Sequence, residues 1–152
     1  MSHIDARTEF SDAQAVTSTA ISTNVIARDG AGLSPNSTQN LGAPATMYLV
    51  VQTAVACTDA SSDATLAVTL ESATDAGLTT GAVVHASTGT LAFAAFKDAG
   101  TVLMCQPLPY DDYKDYVGVR YTVGDGPLTA GAFNAYLTLD PPVMRKVFDN
   151  GL

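Results

Sequence analysis

Apolar and polar residues alternate with a period of two through much of the chain, in short runs separated by turn-forming residues. Over residues 65–71, Leu66, Val68 and Leu70 fall on one face and Thr65, Ala67, Thr69 and Glu71 on the other. Residues 47–53 group Met47, Leu49 and Val51, and residues 116–123 group Val117, Val119, Tyr121 and Val123. Residues 133–139 repeat the pattern. Successive side chains leave opposite faces of a strand, so this alternation predicts half-buried strands. Weaker strand patterns cover residues 15–26, 82–87, 90–95 and 101–107. Between the runs stand Asp29-Gly30, Pro35-Asn36, Asp75-Ala76-Gly77, Gly89, Asp98-Ala99-Gly100 and Asp125-Gly126-Pro127. Each of these breaks has turn chemistry.

About eight strands with no stretch of helical period predict an all-β antiparallel domain, either a sandwich, a jelly roll or a closed barrel. Residues 28–45 form a long polar connection outside this rhythm, and Pro141-Pro142 ends the last strand before a short tail. The expected organisation is an N-terminal arm (1–13), a sandwich (14–140) and a C-terminal tail (141–152).

The 152 residues suffice for one domain with its own core. Ala, Thr, Gly and Ser make up more than a third of the chain and charged residues only 14%. Small side chains therefore fill many strand positions. The net charge is −8, and the few cations are scattered except for Arg145-Lys146. Without a basic stripe the chain lacks the means to displace counterions from phosphates, so direct nucleic-acid binding is not expected. No apolar run approaches the length of a membrane span, and residues 1–7 lack the pattern of a secretory signal. Neither membrane contact nor export is expected. Cys57 and Cys105 are one pair rather than a disulfide framework, and they read as free thiols.

Candidate chemistry is sparse. His85 stands in a strand between Val84 and Ala86, with no other ligand at metal-binding spacing, and reads as a satisfied or solvent-facing strand residue. Asp111, Asp112 and Asp115 surround Tyr113 and Lys114 without the register of a calcium loop. They read as a solvated loop whose tyrosines have the amphipathic character of interface anchors. Neither a Gly-x-Ser-x-Gly elbow nor a phosphate-binding loop is present. No enzyme activity, metal or cofactor is expected.

Three segments in order carry a resemblance. The first runs from Phe10-Ser11-Asp12-Ala13-Gln14 through a Thr/Ala/Ser stretch to Thr23-Asn24-Val25-Ile26. The second is the turn Thr74-Asp75-Ala76-Gly77-Leu78. The third joins Arg120-Tyr121-Thr122-Val123 to Gly126-Pro127-Leu128-Thr129-Ala130-Gly131 and a last alternating strand. Together they resemble the cement (decoration) proteins of tailed-phage capsids, of the jelly-roll type found on Bordetella phage capsids. The resemblance implies a jelly-roll sandwich with extended arms that sits on the outer capsid surface of a virion assembled in the host cytoplasm. There it would bridge capsomers of the major capsid protein as a homo-oligomer, with a dimer favoured over a trimer. The loop at 28–45 and the tail after Pro141 depart from that pattern. Contacts are expected from the arm through Ile4 and Phe10, and from the tail through Val143, Met144, Arg145, Lys146 and Phe148. The two phenylalanines would be apolar anchors or pack on their own domain. The alternatives are a carbohydrate-binding jelly-roll module of a phage virion, using Tyr110, Tyr113 and Tyr116 as a platform, and a small jelly-roll enzyme.

Overall fold

Nine strands and one helical turn make up the described residues, which are 8–27 and 47–142 of the computed structural model. They are β1 (Glu9–Ala15), β2 (Ala20–Ile21), β3 (Ile26–Ala27), β4 (Tyr48–Thr58), β5 (Thr65–Ala73), β6 (Val83–Ala92), α1 (Phe93–Phe96), β7 (Val102–Pro107), β8 (Tyr116–Gly124) and β9 (Ala130–Thr138). Two antiparallel sheets form a sandwich, one ordered β1-β9-β4-β7 and the other β2-β8-β5-β6, with β3 also on β8. Counting β2 and β3 as one interrupted strand gives eight. The first then pairs with the last, the second with the seventh, the third with the sixth and the fourth with the fifth. A long hairpin rolled on itself in this way is a jelly roll, as expected.

The alternation seen in the sequence is the alternation of burial. Leu66, Val68 and Leu70 of β5 join Val117, Val119 and Tyr121 of β8, while Leu49 and Val51 of β4 join Phe133, Ala135 and Leu137 of β9. The Tyr121 and Phe133 rings stack across the two sheets at 5.3 Å between centroids. Val50 and Tyr136 are buried as well but lie outside this core cluster. Leu139 falls beyond the end of β9 and is exposed, so the predicted face stops at Leu137.

Three boundaries differ from expectation. β1 begins at Glu9, so part of the predicted arm is sheet. The single bent strand predicted over 15–26 is instead the end of β1 plus the two fragments β2 and β3. The strands predicted at 82–87 and 90–95 are mostly one strand, β6, because Gly89 (φ +68°) makes a bulge instead of a turn. There Thr88 Oγ1 accepts the Val68 N–H at 3.0 Å. Residues 93–96 leave the sheet as α1, which carries Phe96 fully into the core.

The resembling segments turn out to hold the sandwich together. β1 shifts register between Glu9 and Ser11 and again between Ser11 and Gln14, with Ala13 at φ +42°. The Ala13 N–H is held by Asn134 Oδ1 at 2.6 Å. Gln14 reaches from this sheet to the other, donating to the Ile21 carbonyl and accepting the Thr23 N–H, each at 2.8 Å. Asn24 returns the link by donating to the Phe10 and Glu9 carbonyls. Between the sheets the buried Tyr121 hydroxyl donates to Ser11 Oγ at 3.0 Å, and burial pushes its pKa up to about 12.

The β5–β6 turn is held by Asp75, whose carboxylate accepts the N–H groups of Gly77, Thr79 and Thr80. The turn folds Leu78 back over β8 at Gly118, where an added Cβ would stand 2.9 Å from Leu78 Cδ1. Arg120 clamps it by donating to the Leu78 carbonyl at 2.7 Å and to the buried Glu71 carboxylate at 2.9 Å. Cys57 and Cys105 are free thiols, as expected, and burial pushes Cys57 up to about 11.

Replacing Tyr121 by Phe keeps the ring stack but leaves Ser11 without that donor. The expected loss is about 1 kcal/mol in chemical denaturation, or about 3 °C in Tm, with the fold unchanged by circular dichroism. An unaltered stability would show that this hydrogen bond does not help join the sheets.

Candidate functional site

At one end of β6 the register places an extra residue in the strand. Ala86 faces Leu70 and Val84 faces Glu71, so His85 is a bulge and its ring turns inward. Its Nε2 lies 2.6 Å from Ser72 Oγ on β5, and its Nδ1 lies 2.7 Å from Asp111 Oδ2 in the β7–β8 loop. A carboxylate can only accept, so Nδ1 carries the hydrogen, and in the neutral ring Nε2 then accepts from the Ser72 hydroxyl. Ser72 Oγ in turn accepts the Lys114 N–H at 3.1 Å. The hydrogen bond from His85 is the main cause that holds the Asp111 carboxyl below the usual range, followed by the Asp112 N–H.

Ser72, His85 and Asp111 thus share the connectivity of a hydrolase triad. The surroundings differ from those of a nucleophile. Ser72 and the His85 side chain are both 0% exposed, while the Asp111 side chain is 49% exposed. The serine faces the interior with its oxygen occupied by Lys114. His85 is therefore a satisfied strand residue, and the relay acts as a bolt between β5, β6 and the loop.

Tyr113 completes the bolt. Its ring lies 4.2 Å from the His85 ring, and its hydroxyl donates to the Pro109 carbonyl at 2.8 Å. Burial, with a smaller contribution from the Asp111 charge, pushes its pKa up to about 12. The Lys114 ammonium donates to the Gly81 carbonyl. The platform expected from Tyr110, Tyr113 and Tyr116 does not form. Tyr113 is buried, and Tyr116 is partly buried in β8 opposite Ala27 and Ala73. Only Tyr110 stands out, at 80% exposed.

Val83 and Val84, at the start of β6, are among the exposed large hydrophobics, and Tyr110 projects next to Asp111. Asp112 and Asp115, in the same loop as Tyr110, are exposed as well. Among the described residues no group of three or more His, Cys, Asp or Glu side chains is arranged to hold a metal ion.

The residues singled out in the sequence fare differently. Phe10 is 0% exposed and packs in the core of its own domain. Ile4, the 28–45 loop, Val143, Met144, Arg145, Lys146 and Phe148 lie outside the described residues. Ser72 escaped sequence reasoning, because its meeting with His85 depends on the β5–β6 register and on a loop that returns from β7. The alternation of β5 even marks it as an ordinary inward position.

A family model, Bbp16, matches residues 10–137, which is most of the chain and nearly all of the sandwich. No curated protein matches it.

Two outcomes follow from the relay. Because Asp111 is depressed in the folded state, its contribution is present above its unfolded pKa of about 4 and is lost as pH falls through the lower folded value. Asp59 and Asp75, held down chiefly by the N–H groups of Ala64 and Thr80, have the same sign. Stability should therefore fall below about pH 4. Asp111→Asn should make that acid limb shallower without altering the fold at pH 7, and identical pH profiles would remove Asp111 from the account. Separately, a fluorophosphonate probe should leave Ser72 unlabelled in the native protein. Labelling that disappears with Ser72→Ala would revive the triad as catalytic.

Proposed function

The chain belongs to the Bbp16 family of phage proteins, and from that premise we propose that it is a capsid cement protein. It binds the outside of an icosahedral shell, bridges neighbouring capsomers of the major capsid protein, and catalyses no reaction. The observation that carries this reading is the family match across the sandwich, together with the cement-protein segments that lie within the same residues. Those segments build the fold: the β1 bulges, the Gln14 and Asn24 links and the Asp75 turn. Resemblance at such positions speaks for shared architecture from β1 to β9.

The physical chemistry of the role is one of linkage. A protein that binds the assembled shell more tightly than its separated parts stabilises the assembly by the difference. Individually weak contacts suffice when one molecule, or a homodimer, touches several capsomers, because the second contact forms at high effective concentration. A net charge of −8 suits the outer surface and not the DNA-facing one. The arm through Ile4 and the tail through Val143, Met144, Arg145, Lys146 and Phe148 are assigned to the shell contact, with Arg145 and Lys146 pairing to acids there.

Purified shells lacking the protein provide the test. The full chain should bind them and raise their resistance to heat, and a chain lacking residues 141–152 should show lower occupancy and a smaller gain. Equal occupancy and heat resistance would remove the tail from the contact. Failure of the full chain to bind would overturn the cement reading itself.

A further inference from the structure

We propose that the C-terminal tail, residues 143–152, lies back on the outer face of the four-stranded sheet in the free protein, over Val50 and Tyr136. The proposal goes beyond the cement reading. It concerns the chain before any shell is met, and the two stand or fall separately.

The register defines the face. Glu9 pairs with Tyr136, Tyr136 with Val50 and Val50 with Cys105, so one row crosses β1, β9, β4 and β7 in order. Thr138, Tyr48 and Pro107 form the next row toward the end of the sheet. Directly paired residues share a face. Val50 and Tyr136 lie outside the core cluster to which their chain neighbours Leu49, Val51, Ala135 and Leu137 belong. The row therefore points away from the other sheet.

A face of this kind is ordinarily open to solvent, yet Val50 is 0% exposed, Tyr136 4%, and Thr138 is buried. The outer face of the other sheet shows what burial there requires. Glu71 and Ala73 are buried where the β5–β6 turn lays Leu78 over β8 at Gly118, and Ala67 and Thr69, further along, are half-buried. On the four-stranded sheet no described strand or helix lies across Val50 and Tyr136, and the one helical turn packs beside β5 and β6. The cover also has a direction. Gln52 and Asn134, paired one row further in, are half-buried, and Val55, paired beyond them, is 52% exposed. It enters from the end at Thr138.

The tail starts at that end. β9 stops at Thr138, and Tyr136 is only about 7 Å of strand back from that point. Residues 143–152 span about 15 Å even if coiled as a helix, so they reach. Two other segments outside the described residues leave from the same edge: the arm before Thr8, which bonds to Leu137, and the connection before Met47. The connection is mostly polar, and the arm carries only Met1 and Ile4 as large apolar side chains. The tail has Val143, Met144, Val147, Phe148 and Leu152. Positions 143, 144, 147 and 148 share one side at helical spacing, with Arg145 and Lys146 on the other. The domain would hold the apolar four until a shell competes for them, leaving the two cations for its acids. Strand addition is closed to the tail. β1 shifts register twice, and β7 shifts once and ends in Pro107, so both edges of this sheet are guarded. The face is what remains.

Cys105 serves as the probe, because it is half-buried in the same row, opposite Val50. Its labelling by a small thiol reagent, read by mass, is compared for the full chain, a chain ending at Pro142, and the double variant Val147→Asp/Phe148→Asp. Cys57, buried in the core, should stay unlabelled in all three and so reports an intact sandwich. Cys105 should react on the order of tenfold faster in the two altered chains. The chain has no Trp, so Phe148→Trp adds a single reporter. Its emission should be blue-shifted from that of an isolated 141–152 peptide carrying the same change. Equal Cys105 labelling in all chains, with emission like the peptide's, would overturn the proposal and show that the sheet's own side chains close the face. Protection that fades on dilution would overturn the choice of occupant in favour of the tail of a second copy. If the tail protected Cys105 while the full chain bound no shell, the cement reading would fail and the docked tail would stand.

Discussion

Among the bonds that tie the two sheets, the one set inside the core runs from the Tyr121 hydroxyl to Ser11, beside the stack of Tyr121 on Phe133. An apolar interface between sheets is non-directional and would tolerate sliding. A polar pair inside it does not, because an unmade bond leaves a buried donor or acceptor without a partner. The bulges of β1 follow from this constraint. They set Ser11 facing inward under Tyr121 while Gln14 turns to the neighbouring sheet to hold Ile21 and Thr23. From that corner the roll proceeds through β8 and β9, the two strands that carry the stacked rings.

Much of this architecture is legible in the chain. The strands around Leu66–Leu70 and Val117–Val123 alternate in sequence because each has one face on the core and the other largely outside it. β2 and β3 are illegible for the opposite reason: they are fixed by bonds to Phe10, Gln14 and Val119, which a period-two pattern does not record. Gly89 reads locally as a turn, yet the ladder with β5 continues past it once the Thr88 hydroxyl replaces a backbone acceptor. α1 is too short to show a period at all. Local pattern records burial, and it loses the boundary wherever a side chain does the work of the backbone.

The relay shows the same limit more sharply. His85 and the Asp111 cluster are both conspicuous in the chain, and each reads as ordinary when taken alone. Their combination needs three elements, with Ser72 supplied by a position that alternation marks only as inward. The exposed valines carry no signal either, since a Val-Val pair opening a strand reads as core. What the sequence does convey is scarcity: the chain holds two histidines, and the structure sets one of them to holding a loop.

The guarded edges matter beyond any one molecule. A cement protein working as proposed crowds many copies onto one particle, and must first accumulate in the cell before shells exist to receive it. At such concentrations an open strand is a seed, and jelly rolls that could zip edge to edge would draw one another into insoluble aggregate. The bulges at His85 and Gly89, the fragmentation of β2 and β3 and the terminal Pro107 of β7 make each copy inert toward edge-to-edge strand pairing. That inertness would let synthesis overshoot demand without harm, so that the number of vacant places on the shell, and not the timing of supply, decides how many copies are used.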